Sequence, residues 1–93
     1  MWVAVGEGSN TIAYSGEGIY WTIADSTDIF STAGYGVATN KTRWVAVGEG
    51  TNTLAYSDNG INWTGLGSSI FTDKGYGVCW TGKRWLAVGK GTN

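Results

Sequence analysis

The chain has 93 residues, six Lys plus Arg against seven Asp plus Glu, and a formal net charge of −1. That length holds one small domain, and so balanced a charge argues against a nucleic-acid partner. One cysteine, Cys79, and no histidine exclude an internal disulfide, a cysteine-based zinc site and histidine acid–base chemistry.

No apolar run approaches the ~18 residues of a membrane span, so no membrane partner is expected, and neither is a cofactor or a metal. The remaining composition is that of short strands and tight turns. There are 16 Gly, six Trp, five Tyr and no Pro, and Thr, Val and Ile fill the spaces between the glycines.

Read in chain order, "WVAVGEG" from Trp2 alternates Trp, Ala and Gly with Val and is a strand. "NTIAYS" from Asn10 is the next strand, and "GEGSN" is the hairpin loop between the two. The turn "SGEG" leads to the strand around Trp21, the fourth of its repeat, whose first strand would precede Trp2. A longer loop follows at 24–33, with the apolar pair Ile29-Phe30 expected to plug it onto the body of the protein. "GYGVATN" at 34–40 is a strand closed by the turn "NKT". The series then starts again with "RWVAVGEG", "NTLAYS" and "INWTGLG".

The chain is thus a tandem repeat. Trp2, Trp44 and Trp85 begin successive copies, at spacings of 42 and 41 residues, and Asp28 is the residue without a counterpart. Ile70-Phe71 repeats Ile29-Phe30, and "RWLAVGKGTN" opens a third copy. Four short antiparallel strands per ~40–45 residues is the unit of a β-propeller. The expected organisation is one repeat module over 1–93: a partial blade at 1–23, a complete blade at 34–66 and a partial blade at 75–93. A small β-sandwich or open meander is the competing architecture, but a sandwich has no reason to repeat its sequence. The copies have drifted apart, which suggests natural duplication, or a fragment or reconstruction of a natural multi-blade protein, rather than an idealised symmetrical design.

The turn "YSDNGINWT" at 56–64 carries the most specific pattern. Asp58 is expected to accept backbone N–H groups two or three residues on, Gly60 to take a positive φ, and Trp63 to fold over the turn. Asp58, Gly60 and Trp63 resemble the Asp-box of sialidase-like β-propellers, Ser-x-Asp-x-Gly-x-x-Trp, with Tyr56 where that family has Ser or Thr. The first copy keeps Gly18 and Trp21 but has Gly16 in place of the Asp, so its clasp is expected to be weaker. The resemblance implies a structural turn on the face opposite any ligand site. Six blades, the family's usual number, would correspond to three chains. Four or two chains would make eight or four blades.

A propeller needs four to eight blades. About two blades would leave apolar faces and sheet edges open, so the expected partner is the chain itself, in a homo-oligomeric ring. One of the duplicate strands, at 1–6 or 85–89, would then be surplus. A glycosidase of the sialidase kind would need an arginine cluster, and only Arg43 and Arg84 are present, at one repeat position. The expectation is therefore a non-enzymatic scaffold. The alternative is a glycan-binding module using Glu7, Asn10, Asp25, Glu49, Asn52 and Trp80, with Asp28 nearby. Carboxylates and amides beside an aromatic ring suit a sugar.

Overall fold

The computed structural model describes residues 1–8, 10–24 and 29–91, and these form antiparallel strands without a helix. Asp25 and Asp28 lie outside the described residues. The strands are β1 (Trp2–Val5), β2 (Ile12–Ser15), β3 (Thr22–Ile23), β4 (Ala33–Thr39), β5 (Trp44–Glu49), β6 (Leu54–Ser57), β7 (Thr64–Gly65), β8 (Lys74–Trp80) and β9 (Trp85–Lys90). β1-β2-β3 make a three-stranded sheet. The other six strands make a second, and neither closes into a barrel.

The second sheet is a four-stranded meander, β4-β5-β6-β7, joined to the β8-β9 hairpin at a single pair, Glu49 with Lys74. One period earlier, a single bridge between Glu7 and Ala33 joins the first sheet to β4. β6 reaches only from Trp44 to Val47 along β5, which leaves the end of β5 open to this next contact. The repeat therefore governs register as well as sequence. Trp2 faces Ser15 as Trp44 faces Ser57, and β4 and β8 each carry a bulge, between Gly34 and Gly36 and between Gly75 and Gly77.

The fourth strands are shorter than the sequence suggests. "INWTGLG" yields only Thr64–Gly65 as strand. The Ile61 and Asn62 amides are held at 2.9 Å by the Asn59 side chain, so they are not available to a ladder until the turn is complete.

The core lies between the first sheet and the meander. Val3, Val5, Ile12 and Tyr14 on one side meet Trp44, Ala46, Ala55 and Trp63 on the other. The linker between them enters this layer. Phe30 is fully buried, and its ring stands only 2.7 Å from where a side chain on Gly48 would begin. Phe71 packs on Gly89 in the same way. The isoleucines differ, for Ile29 is buried and Ile70 exposed. Ile29 shares its cluster with Ala55 of β6, and the β8-β9 hairpin has no such third strand to cover Ile70.

Candidate functional site

Two regions follow from the candidate residues: the turns after β2 and β6, and the loops at the opposite ends of these strands. In the turn, Ser57 and Asn59 do the work expected of Asp58. Ser57 Oγ accepts the Asn59 N–H at 3.2 Å and the Gly60 N–H at 2.8 Å, and donates to Asn59 Oδ1 at 3.0 Å. Asn59 Oδ1 then receives the next two amides. Gly60 takes φ 79°, and Trp63 donates its indole N–H to the Gly60 carbonyl at 3.1 Å.

Asp58 points away from this network. Its carboxylate accepts the Arg43 Nε–H at 2.9 Å on the surface, and the Arg43 guanidinium lies over the Tyr56 ring at 4.9 Å. The strand alternation explains the correction. Ser57 ends β6 facing inward and is buried, so the next residue faces solvent.

The first copy uses the same device with Gly16 in place of the Asp, holding three backbone amides where the second holds four, and its Trp21 is exposed where Trp63 is buried. Ser15 Oγ accepts the Glu17 and Gly18 amides at 3.3 and 2.8 Å and donates to Glu17 Oε1 at 3.0 Å. Glu17 Oε1 accepts the Tyr20 N–H at 2.9 Å, and Trp21 donates to the Gly18 carbonyl at 3.2 Å. The Tyr20 N–H, followed by the Ser15 hydroxyl, holds the Glu17 carboxyl below its ordinary pKa. Gly18 takes φ 90°. The signal that sequence reasoning passed over is the serine repeated at 15 and 57, where positions 16 and 58 differ.

The loop ends hold Glu7, Asn10, Glu49 and Asn52. Asn52 is bound within the fold. Its Nδ2 donates to the Ile29 carbonyl at 2.8 Å, and its Oδ1 accepts the Gly67 N–H at 3.0 Å. Thr53 beside it donates to the Phe71 carbonyl at 2.8 Å. The loop between β5 and β6 is thus bonded to both linker segments, at Ile29 and at Gly67 and Phe71. Glu49 is also engaged. It accepts the Tyr35 hydroxyl at 2.8 Å, and Lys74 Nζ approaches it at 3.7 Å. The Glu49 hydrogen bond raises the Tyr35 pKa, and the Glu49 charge raises that of Lys74. Glu7 and Asn10 remain exposed, at the rim of a shallow depression that includes Gly6, Thr11 and Ile12.

Trp80 does not join them. It ends β8, six residues and roughly 20 Å of strand from Lys74, and leans on Trp85 with ring centres 5.1 Å apart. The five described candidate residues, Glu7, Asn10, Glu49, Asn52 and Trp80, therefore form no single cluster. No three His, Cys, Asp or Glu side chains gather there to hold a metal ion. No family model, curated protein or solved structure matches the chain.

The most pronounced feature of the molecule is the contrast between equivalent positions. Trp63 is 5% exposed and Trp21 46%. Val47 is fully buried and Val88 63% exposed. A side chain on Gly48 would strike Phe30, whereas nothing lies within 4 Å of Gly6. One end of the chain displays the Trp-bearing half of the internal interface, and the other end displays the Val-bearing half.

Proposed function

We propose that the chain is a non-enzymatic β-propeller module that assembles with copies of itself, head to tail, into a closed ring. In this reading each four-stranded meander is one blade, and the turns at 15–21 and 57–63 are Asp-box-like clasps. The observation that carries it is the exposure of Leu86 and Val88 at one end and of Trp21 at the other. These are the counterparts of Val45, Val47 and Trp63, of which Val47 and Trp63 pack across internal interfaces. Exposed apolar faces of this kind mark association surfaces, and unlike faces at the two ends of one unit generate rings when the rotation closes. Three chains per ring follow from the resemblance to six-bladed Asp-box proteins.

The scaffold reading is supported over the glycan-binding alternative by the engagement of Asn52 and Glu49 inside the fold. The depression at Glu7 and Asn10 corresponds to the place where Phe30 sits one copy later, so its shape already has an occupant within the repeat. The glycosidase alternative finds no arginine cluster, since Arg43 is paired with Asp58 along the sheet surface.

The test is the native mass of the chain across a concentration series, by light scattering or native mass spectrometry. A single discrete multiple of the chain mass, with three expected, supports the ring. A monomer at every concentration overturns it. Cys79 provides a parallel reading, because it is exposed on the face that carries Leu86 and Val88. Its alkylation should slow as the assembly forms.

A further inference from the structure

β1 and β9 are two copies of one strand, and the structure surrounds them differently. We propose that in the assembly β9 of one copy replaces β1 of the next, so that β9 pairs with the second copy's β2 and the displaced β1 leaves the sheet. This inference rests on the self-assembly reading and specifies its interface.

The register is set by the chain's own repeat. β5 pairs with β6 through Trp44–Ser57, Val45–Tyr56, Ala46–Ala55 and Val47–Leu54. β1 pairs with β2 through the same positions, Trp2–Ser15 to Val5–Ile12. β9 presents Trp85, Leu86, Ala87 and Val88 in the same order, on a strand whose outer edge has no partner. An open edge of this kind is a template for strand addition. Laid beside the second copy's β2, these four residues would face Ser15, Tyr14, Ala13 and Ile12.

The surroundings decide which duplicate stays. β9 is fastened by β8 and the segment that leads into it. Phe71 packs on Gly89, the Asp73 N–H donates to the Lys90 carbonyl at 3.1 Å, and Trp85 rests on Trp80. β1 lacks the corresponding cover, since nothing lies within 4 Å of a side chain placed on Gly6 or Gly8, and Trp2 is exposed. Val3 and Val5 of β1 do pack into the core, so the exchange substitutes Leu86 and Val88 for them and adds cover at the loop end, at equal backbone pairing. It also brings Leu86, 53% exposed in the single chain, into the layer where Val3 now meets Trp44 and Gly60. The second copy's β2 would supply Ala13, the counterpart of Ala55, over the exposed Ile70. Lys90 does stand opposite Lys74 in this hairpin, but the Lys74 ammonium turns to Glu49.

The experiment compares full-length Leu86→Asp and Val3→Asp with the wild type at a concentration where the wild type is assembled. Leu86→Asp should remain folded by circular dichroism and lose the assembled species. Val3→Asp should keep it. Amide hydrogen exchange on the wild type avoids dependence on either variant. On assembly, residues 2–5 should lose protection and residues 85–88 should gain it. Loss of assembly in Val3→Asp together with retained protection at 2–5 overturns the strand assignment and leaves the ring standing. A wild type that stays monomeric overturns the ring reading itself.

Discussion

The Ser57 hydroxyl oxygen accepts the Gly60 backbone N–H at 2.8 Å, and the same bond recurs at 2.8 Å between Ser15 and Gly18. Each serine is buried and also orients the side chain two residues on. The turn is thus held from the last residue of β2 or β6. Ser57→Ala is expected to cost about 1–2 kcal/mol, as for other residues that cap backbone amides, and Ser15→Ala a similar amount. Asp58→Ala should cost less, about 0–1 kcal/mol, because its partner Arg43 is a surface ion pair. Urea unfolding of the three variants checks this. Asp58→Ala costing as much as Ser57→Ala would sink it.

Gly48 and Gly6 occupy one repeat position in different surroundings. Gly48→Ala would drive a methyl group into the Phe30 ring at 2.7 Å, and an overpacked core of this kind costs about 1–3 kcal/mol. Gly6→Ala meets open space and should be neutral or stabilising by up to about 1 kcal/mol. Thermal melts of the two variants in the single chain should separate clearly. Equal shifts would mean that Phe30 does not occupy the slot described for it.

Asn52 ties its loop to two other segments, through Ile29 and Gly67. Asn52→Ala is expected to destabilise the chain by about 1–3 kcal/mol, the cost of leaving hydrogen-bonding groups unpaired away from water. It should leave tryptophan fluorescence in millimolar saccharide unchanged from the wild type. A saccharide-dependent shift that Asn52→Ala removes without unfolding the chain would return the glycan-binding alternative to first place.

Glu17 gives the first clasp a pH dependence that Asn59 does not give the second. Its folded pKa is lowered, chiefly by the Tyr20 N–H. The charged form is therefore the one the fold favours, and its contribution is present above the unfolded glutamate value of about 4.3 and lost as pH falls through the lower folded value. The Tyr20 amide resonance should titrate with a midpoint below 4.3, and the Ile61 and Asn62 amides should not follow it. A Tyr20 midpoint at or above the ordinary glutamate value would contradict the bond.

The opposite pH limit is set where Tyr35, Glu49 and Lys74 meet. The pKa values of Tyr35 and Lys74 are both raised, by the Glu49 hydrogen bond and the Glu49 charge respectively. Groups raised in the folded state support it fully below their unfolded values, about 10 and 10.4, and lose that support as pH rises through the folded ones. Unfolding midpoints should fall in this alkaline range, and Glu49→Gln should flatten the fall. An unchanged alkaline profile in Glu49→Gln would remove Glu49 from this role.

Much of the architecture was readable from local pattern. The period, the alternation within "WVAV" and "LAYS", and the glycine-rich turns repeat in the chain and recur as strands and registers one period apart. The clasp was readable in place but not in detail. Ser57, Asp58 and Asn59 are adjacent polar residues, and the one that turns inward depends on the face on which β6 ends. The candidate ligand residues were chosen by type, and type does not reveal that Asn52 and Glu49 are already bonded to segments 14 to 25 residues away.

Burial was beyond the reach of the repeat. Trp21 and Trp63 stand at identical places in near-identical strings, as do Val47 and Val88. In each pair one is buried and the other open. Strand propensity and turn chemistry act over a few residues, so each copy can carry them alone. Hydrophobic burial depends on what the chain brings alongside from a distance, and identical copies separate there into covered and uncovered.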